Sequence, residues 1–175
     1  VNTQLKDIIP ILERIAPPEL AEQWDNSGLQ IGAPATEIRS ILVAMDITGG
    51  VVREAERRDA CLIVTHHPLL FHPLKQILTQ TGIGRLIRRI VKAGISVYAA
   101  HTNLDAVSGG VNDMLGRELE LQSWKPLLAS RTENGCGIGG IGESRRERSV
   151  KSFAEEIKAR FGLSAVRLIG RPEKR

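Results

Sequence analysis

Three short apolar runs, each followed by a stretch with helical spacing, constrain this chain more than any other feature. In residues 41–45, Ile41, Leu42, Val43, Ala44 and Met45 follow one another without a polar side chain. A strand buried on both faces reads this way, as in a parallel sheet covered by helices, whereas a strand with one wet face alternates. A strand is therefore expected over 40–46, and after Gly49-Gly50 a short helix over 51–58. The pattern then repeats. A second strand is expected over 60–65, and a helix carrying Leu86, Ile87, Ile90 and Val91 ends at Gly94. A third strand follows over 95–100. Strands alternating with helices give right-handed βαβ units, so the expected fold class is α/β with a mostly parallel sheet flanked by helices.

The flanking segments complete this frame. Leu5, Ile8, Ile9, Leu12 and Ile15 recur at helical spacing up to Pro17-Pro18, which stops that helix. Residues 109–121 read as another helix. After Trp124-Lys125-Pro126 the character changes: 134–142 is rich in glycine, and Ser149 suits the N-cap of a helix with Phe153, Ile157 and Phe161 along one side. A further strand is expected over 165–169. These features divide the chain into an α/β domain over 1–126 and the start of a second α/β unit over 127–175. At about 50 residues the second unit is near the lower limit for folding alone, and is expected to be incomplete.

Composition removes several classes of function. With 42% hydrophobic residues among 175, the chain can bury a sizeable core. No run approaches the roughly 20 apolar residues that span a bilayer. The N-terminus lacks the residue order of a signal peptide, so a cytoplasmic protein is expected. Cys61 and Cys136 fit neither a disulfide framework nor a zinc-finger spacing and read as buried thiols. The net charge of +4 owes much to Arg145, Arg146, Arg148, Arg171, Lys174 and Arg175. That is no dense basic face, and with 3% aromatic residues the chain lacks stacking platforms. Nucleic acid is not an expected partner.

The chemistry lies at the strand exits. In a parallel sheet, ligands bind beyond the carboxyl ends of the strands. The three expected strands run out into Asp46-Ile47-Thr48, His66-His67-Pro68, and His101-Thr102-Asn103-Leu104-Asp105. Three of the four histidines therefore stand along one edge. Imidazole and carboxylate together suit a divalent metal such as zinc, manganese, iron or nickel. His66 and His67, if extended, point to opposite sides, which suits two ions better than one, with Asp105 able to bridge them. Asp46 with Thr48 reads as a turn or helix cap that could orient a ligand. Asp25 and Asn26 read as a turn that could line a pocket. His72 is not at an exit and is expected at the surface. Gly137, Gly139 and Gly142 have dinucleotide-loop spacing, but no apolar strand leads into them.

Three segments in order carry a family resemblance. They are Trp24-Asp25-Asn26-Ser27-Gly28-Leu29-Gln30-Ile31-Gly32, Thr65-His66-His67-Pro68-Leu69, and His101-Thr102-Asn103-Leu104-Asp105 followed by Gly109-Gly110-Val111-Asn112. Together they resemble the signature segments of the Nif-three-like dinuclear-metal family, whose members are often named GTP cyclohydrolase 1 type 2 homologues. The resemblance implies a two-part α/β fold and two divalent ions, with His66, His67 and Asp105 as ligands. It places His101 beside the metal rather than on it. It further implies a homo-oligomer, typically a ring-shaped homohexamer, and a metal-dependent hydrolase with a nucleotide substrate. The alternative is a non-catalytic oligomeric metal-binding or regulatory protein. Family members complete the site with a histidine and a glutamate further along the chain. The four histidines here are all accounted for, so this stretch alone is expected to hydrolyse GTP weakly or not at all. Gly140 stands where short members carry an arginine.

Overall fold

The computed structural model describes residues 2–174. Its core is a four-stranded sheet built from β1 (Gly28–Ile31), β2 (Ile41–Ala44), β3 (Leu62–Thr65) and β4 (Ser96–Ala99), in the order β1-β4-β3-β2. β2, β3 and β4 are parallel, with Ile41 opposite Leu62 and Leu62 opposite Ser96, while β1 runs antiparallel to β4. The expected α/β class with a mostly parallel, helix-flanked sheet is what forms.

Helices cover the two faces. α1 (Leu5–Ile15) lies on one, and α2 (Gly49–Arg57) and α3 (Gly82–Lys92) lie on the other. Successive strand residues face opposite sides. Leu62 and Tyr98 therefore join Leu5 and Ala16 under α1, whereas Ile63 and Val97 join Val52, Ala55 and Ile90 under α2 and α3. Thr48 and Thr81 cap α2 and α3 by accepting from the backbone N–H of Val51 and Gly84. The C-terminal ends of the strands are thus held on a double-sided core. No helix among the described residues is long and apolar enough to cross a membrane.

The structure corrects three expectations and tightens the bounds of a fourth. The run 41–45 is not buried on both faces: Val43 is 77% exposed, and Ile41 and Met45 are also exposed. β2 is an edge strand, and α1 packs over β3 and β4 instead. The helix expected over 109–121 forms with tighter bounds, as α5 (Val111–Glu118): it follows the short α4 (Thr102–Ala106) after a turn at Gly109, whose φ of 77° is in the left-handed region, and Leu121 already belongs to β5 (Leu121–Lys125). Residues 165–169 form no strand, because no described segment offers them a ladder, and Ile169 lies in solvent. Cys136 is buried, as expected, but Cys61 is only half-buried.

The remaining elements are small. β6 (Leu128–Ala129) pairs with β7 (Gly137–Ile138), and β8 (Ile141–Ser144) pairs back with β5 across residue 126. Gly137, Gly139 and Gly142 fall on or between these short antiparallel strands, away from any strand-to-helix turn. Trp124 fills the space beside α5 and donates its indole N–H to Asp113 Oδ1 at 2.7 Å. A Cβ on Gly140 would lie 1.9 Å from that indole, so no larger residue fits there without displacing Trp124. α6 (Val150–Arg160) carries the expected Ser149 cap but buries no side chain fully.

A candidate metal centre at the strand exits

The chain leaves β3 by bending rather than by continuing extended. Thr65 Oγ1 donates to the His67 carbonyl at 3.0 Å, and the His67 N–H donates to the Met45 carbonyl at 3.0 Å. Side-chain alternation therefore ends at Thr65, and the rings of His66 and His67 lie near each other, 4.9 Å between centroids. The expectation that they point to opposite sides fails for this reason. One strand over, the chain leaving β4 reaches His101, the N-cap residue of α4. Its N–H donates to Asn103 Oδ1 at 2.9 Å, and the fully buried Asn103 amide donates to the Ala16 carbonyl at 2.7 Å. Asn103 thus ties this exit to the end of α1. The His101 ring lies 5.2 Å from that of His66 and 5.7 Å from that of His67.

One ligand atom from each of the three rings falls within 4.8 Å of the others, so the trio can hold a metal ion. The hydrogen bonds behind the rings say which atoms are free. His66 Nδ1 donates to the Ala100 carbonyl at 2.9 Å, His67 Nδ1 to Asp46 Oδ1 at 2.7 Å, and His101 Nδ1 to Asp25 Oδ1 at 2.7 Å. A carbonyl or carboxylate oxygen can only accept, so each Nδ1 carries the proton and each neutral ring keeps its lone pair on Nε2. Metal-ligating imidazoles are usually oriented in this way. The donor set therefore fits a divalent cation of the kind that imidazole binds.

Asp25 anchors the buried side of the site. Its side chain is 0% exposed. It accepts from His101, from Ser27 Oγ at 2.6 Å, from the Thr102 N–H and hydroxyl at 3.1 and 2.5 Å, and from the Asn26 N–H at 2.7 Å. Burial alone would raise its pKa, but the hydrogen bonds from His101, Ser27, Thr102 and Asn26 outweigh it and hold the carboxyl well below the usual carboxylate range. Asp46, on the exposed side, has His67 as its acidic–basic partner.

Asp105, on α4, places Oδ1 3.6 Å from His66 Nε2. That is too long for a hydrogen bond. It is close to the separation of about 3.3–3.5 Å between two donors on one tetrahedral ion with bonds near 2.0–2.1 Å. Asp105 meets His66 from outside the trio. His66, His67, Asp105, His101, Asp46 and Asp25 are thus all brought to one strand edge. His101, expected beside the ion, is the third member of the cluster that could hold one. His72 is exposed, against Phe71, as expected. Residue order alone did not single out Asn103, Thr102, Trp24 or Phe71. Only their adjacency to the histidine and tryptophan segments hinted at them.

The family model for Duf34/NIF3 (NGG1p interacting factor 3) matches residues 3–175. The chain belongs to the DUF34/NIF3 family. It is similar to the GTP cyclohydrolase 1 type 2 homolog of Clostridium perfringens, 41% identical over 167 residues, covering 95% of this chain and 64% of that protein. The Bacillus subtilis protein of the same name is 41% identical over 173 residues, covering 97% of this chain and 43% of that one. The chain thus spans less than two thirds of the length of both. Among solved structures, the Bacillus cereus protein related to NIF3 superposes with a TM-score of 0.86 at 25% identity, over 98% of this chain and 74% of that one.

Proposed function

We propose that this DUF34/NIF3 chain carries a divalent-metal site of a metal-dependent hydrolase acting on a nucleotide. His66, His67 and His101 hold one ion through Nε2, and Asp105 reaches the ion from the His66 side. The observations that support this reading are that one ligand nitrogen from each of the three imidazoles lies within 4.8 Å of the others and that each Nδ1 is engaged in a hydrogen bond behind its ring. The name that the relatives carry, GTP cyclohydrolase 1 type 2 homolog, supports a nucleotide as the substrate in this reading. A second ion bridged by Asp105 is the larger version of the same proposal and takes donors beyond these four. A divalent ion supplies Lewis-acid polarisation and a water of lowered pKa. The chain's own residues fix the rings: Asp25 and Asn103 hold His101, Asp46 holds His67, and the Ala100 carbonyl holds His66. His67 is half exposed, so the site opens to solvent on its side. Self-association into a hexamer belongs to the proposal too, supported by the uncovered apolar residues of β2.

A second reading, a metal-binding or regulatory protein without turnover, is favoured by the Asp105–His66 spacing. Three imidazoles and one carboxylate complete a tetrahedral set and leave no open position, as in structural sites. Metal content by plasma mass spectrometry, followed by GTP hydrolysis with added manganese or zinc, separates the two. The hydrolase reading expects turnover that rises with bound metal and is lost in His66→Ala. Stoichiometric metal without turnover selects the second reading. Metal content unchanged by His66→Ala and His67→Ala would overturn both.

A further inference from the structure

Beside the histidines lies a cleft of about 710 Å³ between the segment after α1 and the loop after β3. Its size is within the range of small-molecule pockets, roughly 300–1,000 Å³. Trp24 and Phe71 stand at its mouth, with ring centroids 6.1 Å apart at 73°, and each is near the His101 ring, at 6.5 and 6.1 Å. Trp24 is 61% exposed. A tryptophan ring so exposed, in T-shaped contact with Phe71 and His101, leaves much of its surface open to a ligand. Leu70, Leu74 and Ile77 add an aliphatic part to the lining, the last two of them exposed.

Two polar side chains of the lining, Asn26 and Gln30, are engaged in hydrogen bonds, and the His72 ring packs against Phe71. Asn26 Nδ2 donates to the Leu70 carbonyl at 2.5 Å, the Leu70 N–H donates to Gln30 Oε1 at 2.9 Å, and Gln30 Nε2 donates to the Asn26 carbonyl at 2.6 Å. These bonds tie the Trp24 loop to the Phe71 loop and set the two rings in place. Asp25, the one carboxylate in the wall, is turned to His101, Ser27 and Thr102. No lysine or arginine among the described residues lines the cleft. Such a wall offers a phosphate or a carboxylate no lysine or arginine partner. It suits an uncharged, planar aromatic ring that lies against Trp24 and the neighbouring aliphatic side chains.

We infer that Trp24 and Phe71 form a stacking subsite for the heterocyclic base of the substrate, immediately beside the histidine cluster. Ring binding needs no metal; only the identity of the reacting group next to His101 rests on the hydrolase reading. The subsite determines specificity by shape and stacking, while the charged part of a nucleotide lies outside the cleft.

Saturation-transfer NMR with guanosine on the EDTA-treated chain tests this. Guanosine carries the ring and no phosphate. The expected result is saturable binding with stronger transfer to the base proton than to the ribose protons, and no signal from ribose alone. Trp24→Leu and Phe71→Leu weaken it by about tenfold or more, in line with the usual contribution of base–aromatic stacking, and Trp24→Phe stays close to wild type. Circular dichroism melts confirm that each variant is folded. Metal content of the Trp24 and Phe71 variants matches wild type, and His66→Ala loses metal while keeping guanosine. No saturable binding, equal binding of ribose, or an unaffected folded Trp24→Leu would overturn the subsite. Guanosine binding with no metal uptake would leave the subsite standing and remove the metal reading, so the two fail separately.

Discussion

Two imidazole–carboxylate pairs flank the candidate centre with the same 2.7 Å contact and opposite surroundings. Asp25 is fully buried behind His101 and accepts from Ser27, Thr102 and Asn26 as well. Asp46 is 58% exposed behind His67. The distance is equal, but the consequence of losing it is not. A buried acceptor with several donors leaves each of them unsatisfied when removed, whereas an exposed one is replaced by water. The difference teaches that one side of the site is part of the fold and the other is adjustable.

The largest effect expected is from Asp25→Ala. It strands the His101 Nδ1–H and two backbone N–H groups, and should destabilise the chain by about 3 kcal/mol or more, read from urea unfolding. A variant as stable as wild type would break the comparison. Next is Thr102→Val, which removes one hydroxyl donor to Asp25 and should cost about 1 kcal/mol by the same measurement. Asp46→Ala sharpens the contrast from the other side. Stability should change by no more than about 0.5 kcal/mol, while zinc affinity falls about tenfold because His67 loses its orienting partner. A competition titration with a chromogenic chelator reads the second quantity. A stability loss equal to that of Asp25→Ala would contradict the distinction. The smallest effect belongs to an ordinary surface pair far from the site. Hydrogen bonds from Arg57 and Arg58 hold the Glu54 carboxyl at about 2, below its usual 4.5. A lowered pKa stabilises above the unfolded value, and that contribution is lost as pH falls through the folded one. The small Tm difference between wild type and Glu54→Gln at neutral pH should therefore close as pH drops from 4.5 to about 2.

The central sheet and its exits were legible because they follow from local pattern and one general rule. Apolar runs at 60–65 and 95–100 did form β3 and β4, and His66, His67 and His101 cluster beyond their carboxyl ends. The features that were not legible depend on neighbours. Residues 41–45 read as a fully buried strand, yet β2 is at the sheet edge, which composition does not encode. The same holds for 165–169, apolar enough for a strand but without a strand partner among the described residues. His66 and His67 were read as diverging because extended backbone was carried one step too far. The bend combines a local bond from Thr65 with a contact to Met45, which is distant in sequence. Trp24 and Phe71 meet only because Asn26, Leu70 and Gln30 stitch two loops together.

X-ray absorption on the chain loaded with one equivalent of zinc counts the imidazoles directly. The account expects about three imidazole nitrogens near 2.0–2.1 Å with one further light scatterer, and a drop to about two in His101→Ala. A spectrum with one imidazole or none, or one that His101→Ala leaves unchanged, would contradict it.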